Sequence, residues 1–214
     1  MSLVLGPVHH WLYNQIETIE DREKEIVAAF KEQYGANEVD KLVKQVRKEY
    51  GQLKRDAPLE ELIGNSGIHP WLEGAITTVQ TREAALVKEL MMEFDDQELL
   101  VKVYKNNGKK IAKEADTSQG TNELESAFEA LKNTLLQRMP CDRLSAVVHN
   151  KADQIVWRHD IKLHTEFWQK AGVDLDLMHQ LYDNWIKGFV KAINPKIKHQ
   201  RDISQEQYED IFTI

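Results

Sequence analysis

Residues 8–34, VHHWLYNQIETIEDREKEIVAAFKEQY, return 60 positions later without a gap as residues 68–94, IHPWLEGAITTVQTREAALVKELMMEF. Eight of the 27 positions are identical: His9/His69, Trp11/Trp71, Leu12/Leu72, Ile16/Ile76, Thr18/Thr78, Arg22/Arg82, Glu23/Glu83 and Val27/Val87. Five more exchange one apolar side chain for another. Self-similarity of this kind predicts one supersecondary unit used twice, each copy burying its apolar face against a neighbour. Within the first copy Trp11, Leu12, Ile16, Ile19, Ile26, Val27, Phe30 and Tyr34 recur at helical steps, and Trp71 through Phe94 repeat the pattern in the second. A second helical pattern follows each: Val39, Leu42, Val43, Val46, Tyr50 after a break at Gly35, and Leu99, Leu100, Val103, Tyr104, Ile111 after Asp95–Asp96. The unit is a helical hairpin of about 45–50 residues, used twice.

The period changes beyond the repeat. Residues 56–70, with two prolines and two glycines, link the copies, and residues 115–121 (ADTSQGT) form a polar breaker before a helix expected over 121–139. Residues 145–149 and 154–158 alternate around a turn-like Asn-Lys-Ala-Asp, with Val147, Ile155 and Trp157 on one face, which predicts a β-hairpin. Helices follow from about Leu163 to Lys170 and from about Asp176 to Ala192, then two strand-like runs at 196–202 and 208–214. The expected fold is mainly α within the α+β class: duplicated helical hairpins packed with a C-terminal segment that carries a small antiparallel sheet. Residues 1–60 form an additional hairpin and 61–214 the main domain, joined as one compact unit.

Bulk properties restrict the function classes. The 214 residues carry 28 Lys plus Arg against 35 Asp plus Glu, a formal net charge of −7 that argues against nucleic acid as a partner. No 18-residue apolar stretch exists to span a membrane, and the N-terminus lacks the basic and apolar regions of a signal peptide. A single cysteine forms no internal disulfide, so a reduced, cytoplasmic location is the default. A homodimer through exposed helical faces is an open expectation without a heptad seam behind it.

Arg22 and Arg82 lie on the apolar stripes themselves. A guanidinium aimed at a core needs an anion. The duplicated Glu23 and Glu83 predict reciprocal pairing between the copies; snorkelling along the stripe edge, or an Arg82 clamp on a substrate carboxylate, are the alternatives. Five of eight histidines fall in the last 66 residues, with His179 and Asp183 one helical turn apart. No HExxH, CxxC or paired Glu-x-x-His occurs, so no metal site is expected. Cys141, between Pro140 and Asp142, reads as a packing residue, and no glycine-rich loop points to a nucleotide or other cofactor.

The run Glu166-Phe-Trp168-Gln-Lys-Ala-Gly172, the helix bearing Asp183, Gly188-Phe189, Asn194-Pro195-Lys-Ile197 and the strand-like tail resemble the L-2-amino-thiazoline-4-carboxylic acid hydrolase family over roughly residues 80–214. Lys162, and a residue near Gln180 or Asp183, stand where that family carries cysteines. The resemblance implies hydrolysis of a C–N bond in a small heterocyclic amino acid or related carboxylated compound. In that reading His164 is the general base, oriented by Asp183, while His159, Trp157, Trp168, His179 and Arg82 bind the substrate. The competing expectation is a non-catalytic protein that binds a small ligand or self-associates on the same fold.

Overall fold

A computed structural model describes residues 5–214. Helix α1 (Pro7–Tyr34) opens on a proline whose missing N–H costs nothing in a first turn. It is followed by α2 (Ala36–Tyr50), the short α3 (Leu59–Ile63) and the second long helix α4 (Ile68–Phe94). Asp96 caps α5 (Gln97–Ala112) by accepting from the Leu99 N–H, and Asn122 caps α6 (Glu123–Thr134) by accepting from the Glu125 N–H. A 3₁₀ turn at Pro140–Asp142 leads to strands β1 (Ser145–Asn150) and β2 (Gln154–Asp160). Helices α7 (Lys162–Ala171) and α8 (Leu175–Ile193) come next, and β3 (Lys198–Ile203) and β4 (Gln207–Thr213) close the chain. The mostly helical architecture with one small antiparallel sheet is the fold class expected. The helix expected over 121–139 is shorter: it stops at Thr134, where Leu135 turns extended and the chain continues as a loop to the 3₁₀ turn.

The two copies meet side by side, parallel and in register. His9 contacts His69 at one end and Phe30 contacts Phe94 at the other. Between these ends the duplicated charges cross, as their spacing predicts. Arg22 grips Glu83 with two bonds (Nε–Oε1 2.5 Å, Nη2–Oε2 2.9 Å), and Arg82 donates to Glu23 (Nε–Oε2 2.6 Å). All four residues are at most 1% exposed. The snorkelling alternative is therefore set aside. The copies are not equivalent in their further contacts. Helix α2 packs on both α1 and α4, whereas α5 packs on α1 and most extensively on α8.

Two glycines explain the tight α5–α8 contact. A Cβ on Gly108 would collide with the Trp185 carbonyl, and one on Gly188 with the Lys105 carbonyl. The helices thus approach backbone to backbone at both crossings. The sheet order is β1-β2-β4-β3, all antiparallel, so β4 lies in the interior and β1 and β3 form the edges. Val147, expected on the buried face with Ile155 and Trp157, is 40% exposed because β1 is an edge strand without a helix over it.

Two stability outcomes are expected in urea denaturation. Gly188→Ala costs about 1–3 kcal/mol or more through overpacking. Glu83→Gln costs about 3–5 kcal/mol by leaving the Arg22 charge buried without a counter-ion, and much of that loss returns when both partners become apolar in Arg22→Met/Glu83→Leu. A Glu83→Gln protein as stable as wild type would show that the crossed pair is not what holds the copies together.

Candidate functional site

The inner face of the sheet carries charge where a core face is ordinarily apolar. On β2 the inward residues are Ile155, Trp157 and His159; on β4 they are Tyr208, Asp210 and Phe212. Register sets His159 beside Tyr208, Trp157 beside Asp210, and Arg201 of β3 on the other side of Asp210. Asp210, 0% exposed, accepts a fork from Arg201 (Nε 2.8 Å, Nη2 2.9 Å) and a bond from His199 Nε2 (2.8 Å). His159 Nε2 lies 3.1 Å from its other oxygen, without the alignment of a hydrogen bond. Burial alone would raise the Asp210 carboxyl, but Arg201 and the two imidazoles outweigh it and hold the group well below the usual carboxylate range.

Tyr208 joins this charged group to the helices. Its ring stacks on His159 (centroids 4.5 Å apart), and its hydroxyl lies 2.8 Å from His164 Nδ1. His164 Nε2 is 3.2 Å from the Leu136 carbonyl, which can only accept, so Nε2 carries the ring proton and Nδ1 accepts from Tyr208. Trp168 stacks on His164 and meets His179 edge-on. Four of the sequence-predicted residues, His159, His164, Trp168 and His179, therefore converge around Tyr208, and Trp157 adjoins His159 at 4.5 Å.

Asp183 and Arg82 are not part of the cluster. Asp183 binds Lys187 (2.5 Å) and lies 3.1 Å from His199 Nδ1, so it does not orient His164. Arg82 is spent on Glu23, on Glu20 (2.9 Å) and on the carbonyls of Gly51 (3.3 Å) and Gln52 (2.8 Å), leaving no fork for a substrate carboxylate. His164, 1% exposed and bonded at both ring nitrogens, has no lone pair for a water. Tyr208, Asp210 and Arg201, which organise the cluster, do not stand out in the sequence. The available signal was an aspartate at the middle of an i, i+2, i+4 inward row flanked by aromatics.

Beside the cluster a cleft of about 320 Å³ opens between α1, the 135–144 loop and β1–β2. Its walls include Trp11, Leu135, Met139, Leu144, Trp157 and Leu163. Arg143 stands at its rim with a left-handed backbone (φ 53°) and makes no hydrogen bond or ion pair among the described residues. Gln137, also lining it, accepts from Ser145 (2.7 Å) through Oε1, while its buried Nε2 has no partner. A second, more polar groove of about 440 Å³ lies between α7, α8 and the β3–β4 turn, with His179 in its lining. Among the described residues no three His, Cys, Asp or Glu side chains converge as a metal site, and no helix is long and apolar enough to cross a membrane.

No protein-family model matches this chain, and no curated protein matches it. Solved structures similar to it come from studies of H-NOX domains. One, solved to probe heme distortion in the H-NOX family, is 11% identical over 91% of this chain and 93% of its own, with a TM-score of 0.41. A second, on heme redox potential and porphyrin distortion, is 12% identical over 89% and 96%, at 0.39. A third, on H-NOX activation, is 12% identical over 88% and 92%, at 0.36. The expected membership in the thiazoline-carboxylate hydrolase family is corrected accordingly: its solved neighbours are H-NOX domains, not hydrolases. The hydrolase activity falls with it, since the expected base is sealed and the expected orienting acid serves another histidine.

The buried imidazoles make stability depend on pH. Burial depresses His159, holds His164 well below its ordinary range and pushes His179 down to about 4, with Arg201 adding to the effect on all three. In the unfolded chain each titrates near 6.5. Between that value and the native one the unfolded state binds more protons, so stability rises with pH. The penalty is absent above about pH 6.5 and grows as pH falls towards 4, by up to about 1.4 kcal/mol per pH unit for each imidazole. Asp210 and Asp183, both depressed, continue the loss below the carboxylate range. Urea midpoints should drop between pH 7 and pH 5, less steeply in His179→Phe; a flat profile would mean that these rings titrate in the native state as they do in the unfolded chain.

Proposed function

We propose that this chain is a non-catalytic binding protein for a small apolar or aromatic carboxylate, held in the cleft beside the imidazole cluster. The observation that carries this reading is the pairing of an apolar wall with two uncommitted donors, Arg143 and the buried Gln137 Nε2. An unpaired buried donor is costly and is satisfied by a ligand oxygen. Arg143 supplies the charge that a carboxylate selects, and its left-handed backbone is a strained conformation of the kind that clusters at ligand sites. Trp157 and Trp11 supply flat walls, the usual lining of a small-molecule pocket, and about 320 Å³ admits a compact ligand. Trp157 also touches His159, so occupancy bears directly on the buried cluster.

One of these structures was solved to probe heme distortion in the H-NOX family, and another is described as an oxygen-binding H-NOX domain. The residues of this chain do not fit a heme. His164 is bonded at both nitrogens, His159 is sandwiched between Trp157 and Tyr208, and Trp168, Tyr182, Trp185 and Phe189, each at most 1% exposed, fill the space behind them.

The test is a thermal-shift series with phenylacetate, indole-3-acetate and octanoate against their primary amides. Carboxylates should raise the melting temperature by mass action, about 2.7 kcal/mol at a hundredfold excess over Kd. Arg143→Ala, an exposed substitution, should weaken binding about tenfold, as expected for a charge-assisted bond of about 1.5–3 kcal/mol. Equal response to acids and amides, or an unchanged Arg143→Ala protein, would refute the reading.

A further inference from the structure

We propose that His9 and His69 form a site for a divalent transition-metal ion that clips the two repeat copies together at their N-terminal ends. The titratable identities of the repeat are all inter-copy partners: Arg22 meets Glu83, Arg82 meets Glu23, and His9 meets His69. The first two pairs are buried ion pairs with an evident structural task. The histidine pair is near the surface, His9 half-buried and His69 exposed, and adds nothing to the core.

Its geometry is that of a bidentate imidazole site. The two Nε2 atoms are 3.4 Å apart, with the rings tilted by 54° and their centroids 5.5 Å apart. Imidazole nitrogen binds zinc at about 2.0–2.1 Å, and two such bonds at a tetrahedral angle place the nitrogens roughly 3.4 Å apart. An ion therefore fits between the rings with little movement. Both rings sit on the first turns of long helices locked together by the crossed ion pairs, so the site is formed in advance of binding.

Without an ion, the Gly6 N–H donates to His9 Nδ1 (3.0 Å), which places the His9 proton on Nε2, facing His69. On binding, that proton moves through solvent to Nδ1, Gly6 releases its bond, and both Nε2 lone pairs take the ion. No third ligand converges among the described residues, so water completes the coordination. The partial positive charge of two helix N-termini disfavours ions held by electrostatics alone. The site accordingly selects imidazole-seeking ions such as Zn²⁺, Ni²⁺ and Cu²⁺ over Mg²⁺.

Calorimetric titration of the full chain with ZnCl₂ should give one ion per chain, and MgCl₂ none. His9→Ala and His69→Ala should each weaken Zn²⁺ binding at least tenfold with circular dichroism unchanged, while His10→Ala, at the neighbouring exposed residue, should leave it as in wild type. Co²⁺ should give visible absorption bands that both His9→Ala and His69→Ala abolish. Absence of Zn²⁺ binding in wild type, binding that survives either His9→Ala or His69→Ala, or loss in His10→Ala instead would overturn the assignment.

Discussion

The crossed ion pair between the two copies is the constraint to which the rest of the molecule conforms. Two guanidinium groups and two carboxylates have left water at the centre of the structure, and each must find every partner it needs there. Arg22 satisfies this with Glu83, with the Tyr182 hydroxyl (3.3 Å) and with the ring faces of Tyr104 and Tyr182 at about 5 Å. That requirement brings α5 and α8 against the repeat. Arg82 uses the carbonyls at 51 and 52, and Lys54 reaches Glu20 (3.1 Å), so the chain leaving α2 is tied down by the same network. Helix packing here follows from satisfying charge as much as from burying apolar area.

A second polar interior, on the sheet, is connected to the first through one residue. Tyr182 touches Glu83 through its hydroxyl and His164 through its ring (centroids 5.2 Å). His164, Tyr208, His159 and Asp210 follow in unbroken contact. Replacing His164, Tyr208 or Asp210 by an apolar residue leaves a buried partner unsatisfied, which accounts for why His164 and His199 are kept in this interior. The cleft lies where this network reaches the loop after α6, since His164 holds the Leu136 carbonyl and thereby sets the path of Gln137.

Periodic features were the legible part of this structure. The repeat placed α1 and α4 within a residue of their ends, its polar identities predicted the crossed pairs, and period-two alternation located the β1–β2 hairpin. The site was legible only as residue types. His159, His164, Trp168 and His179 could be singled out, but their meeting point depends on β4 lying beside β2, which local pattern does not reveal. Spacing set Asp183 one turn from His179 and the hydrolase reading made it the orienting acid of His164; the imidazole it meets, His199, comes from a strand, which helical spacing does not reveal. The glycines of the α5–α8 contact lie inside stretches that read as continuous helix, and one sequence does not say which backbone each one admits.

The parallel, in-register meeting of α1 and α4 has an entropic consequence. Every inter-copy contact, from His9–His69 through Arg22–Glu83 to Phe30–Phe94, joins residues about 60 positions apart. Closing a loop of that size costs entropy once, with a weak logarithmic dependence on its length. After any one of these contacts has formed, the others close the same loop again at almost no added cost. The duplication thus makes a row of long-range contacts behave as a zipper with a single expensive tooth, and the long separations along the chain do not multiply into a slow search.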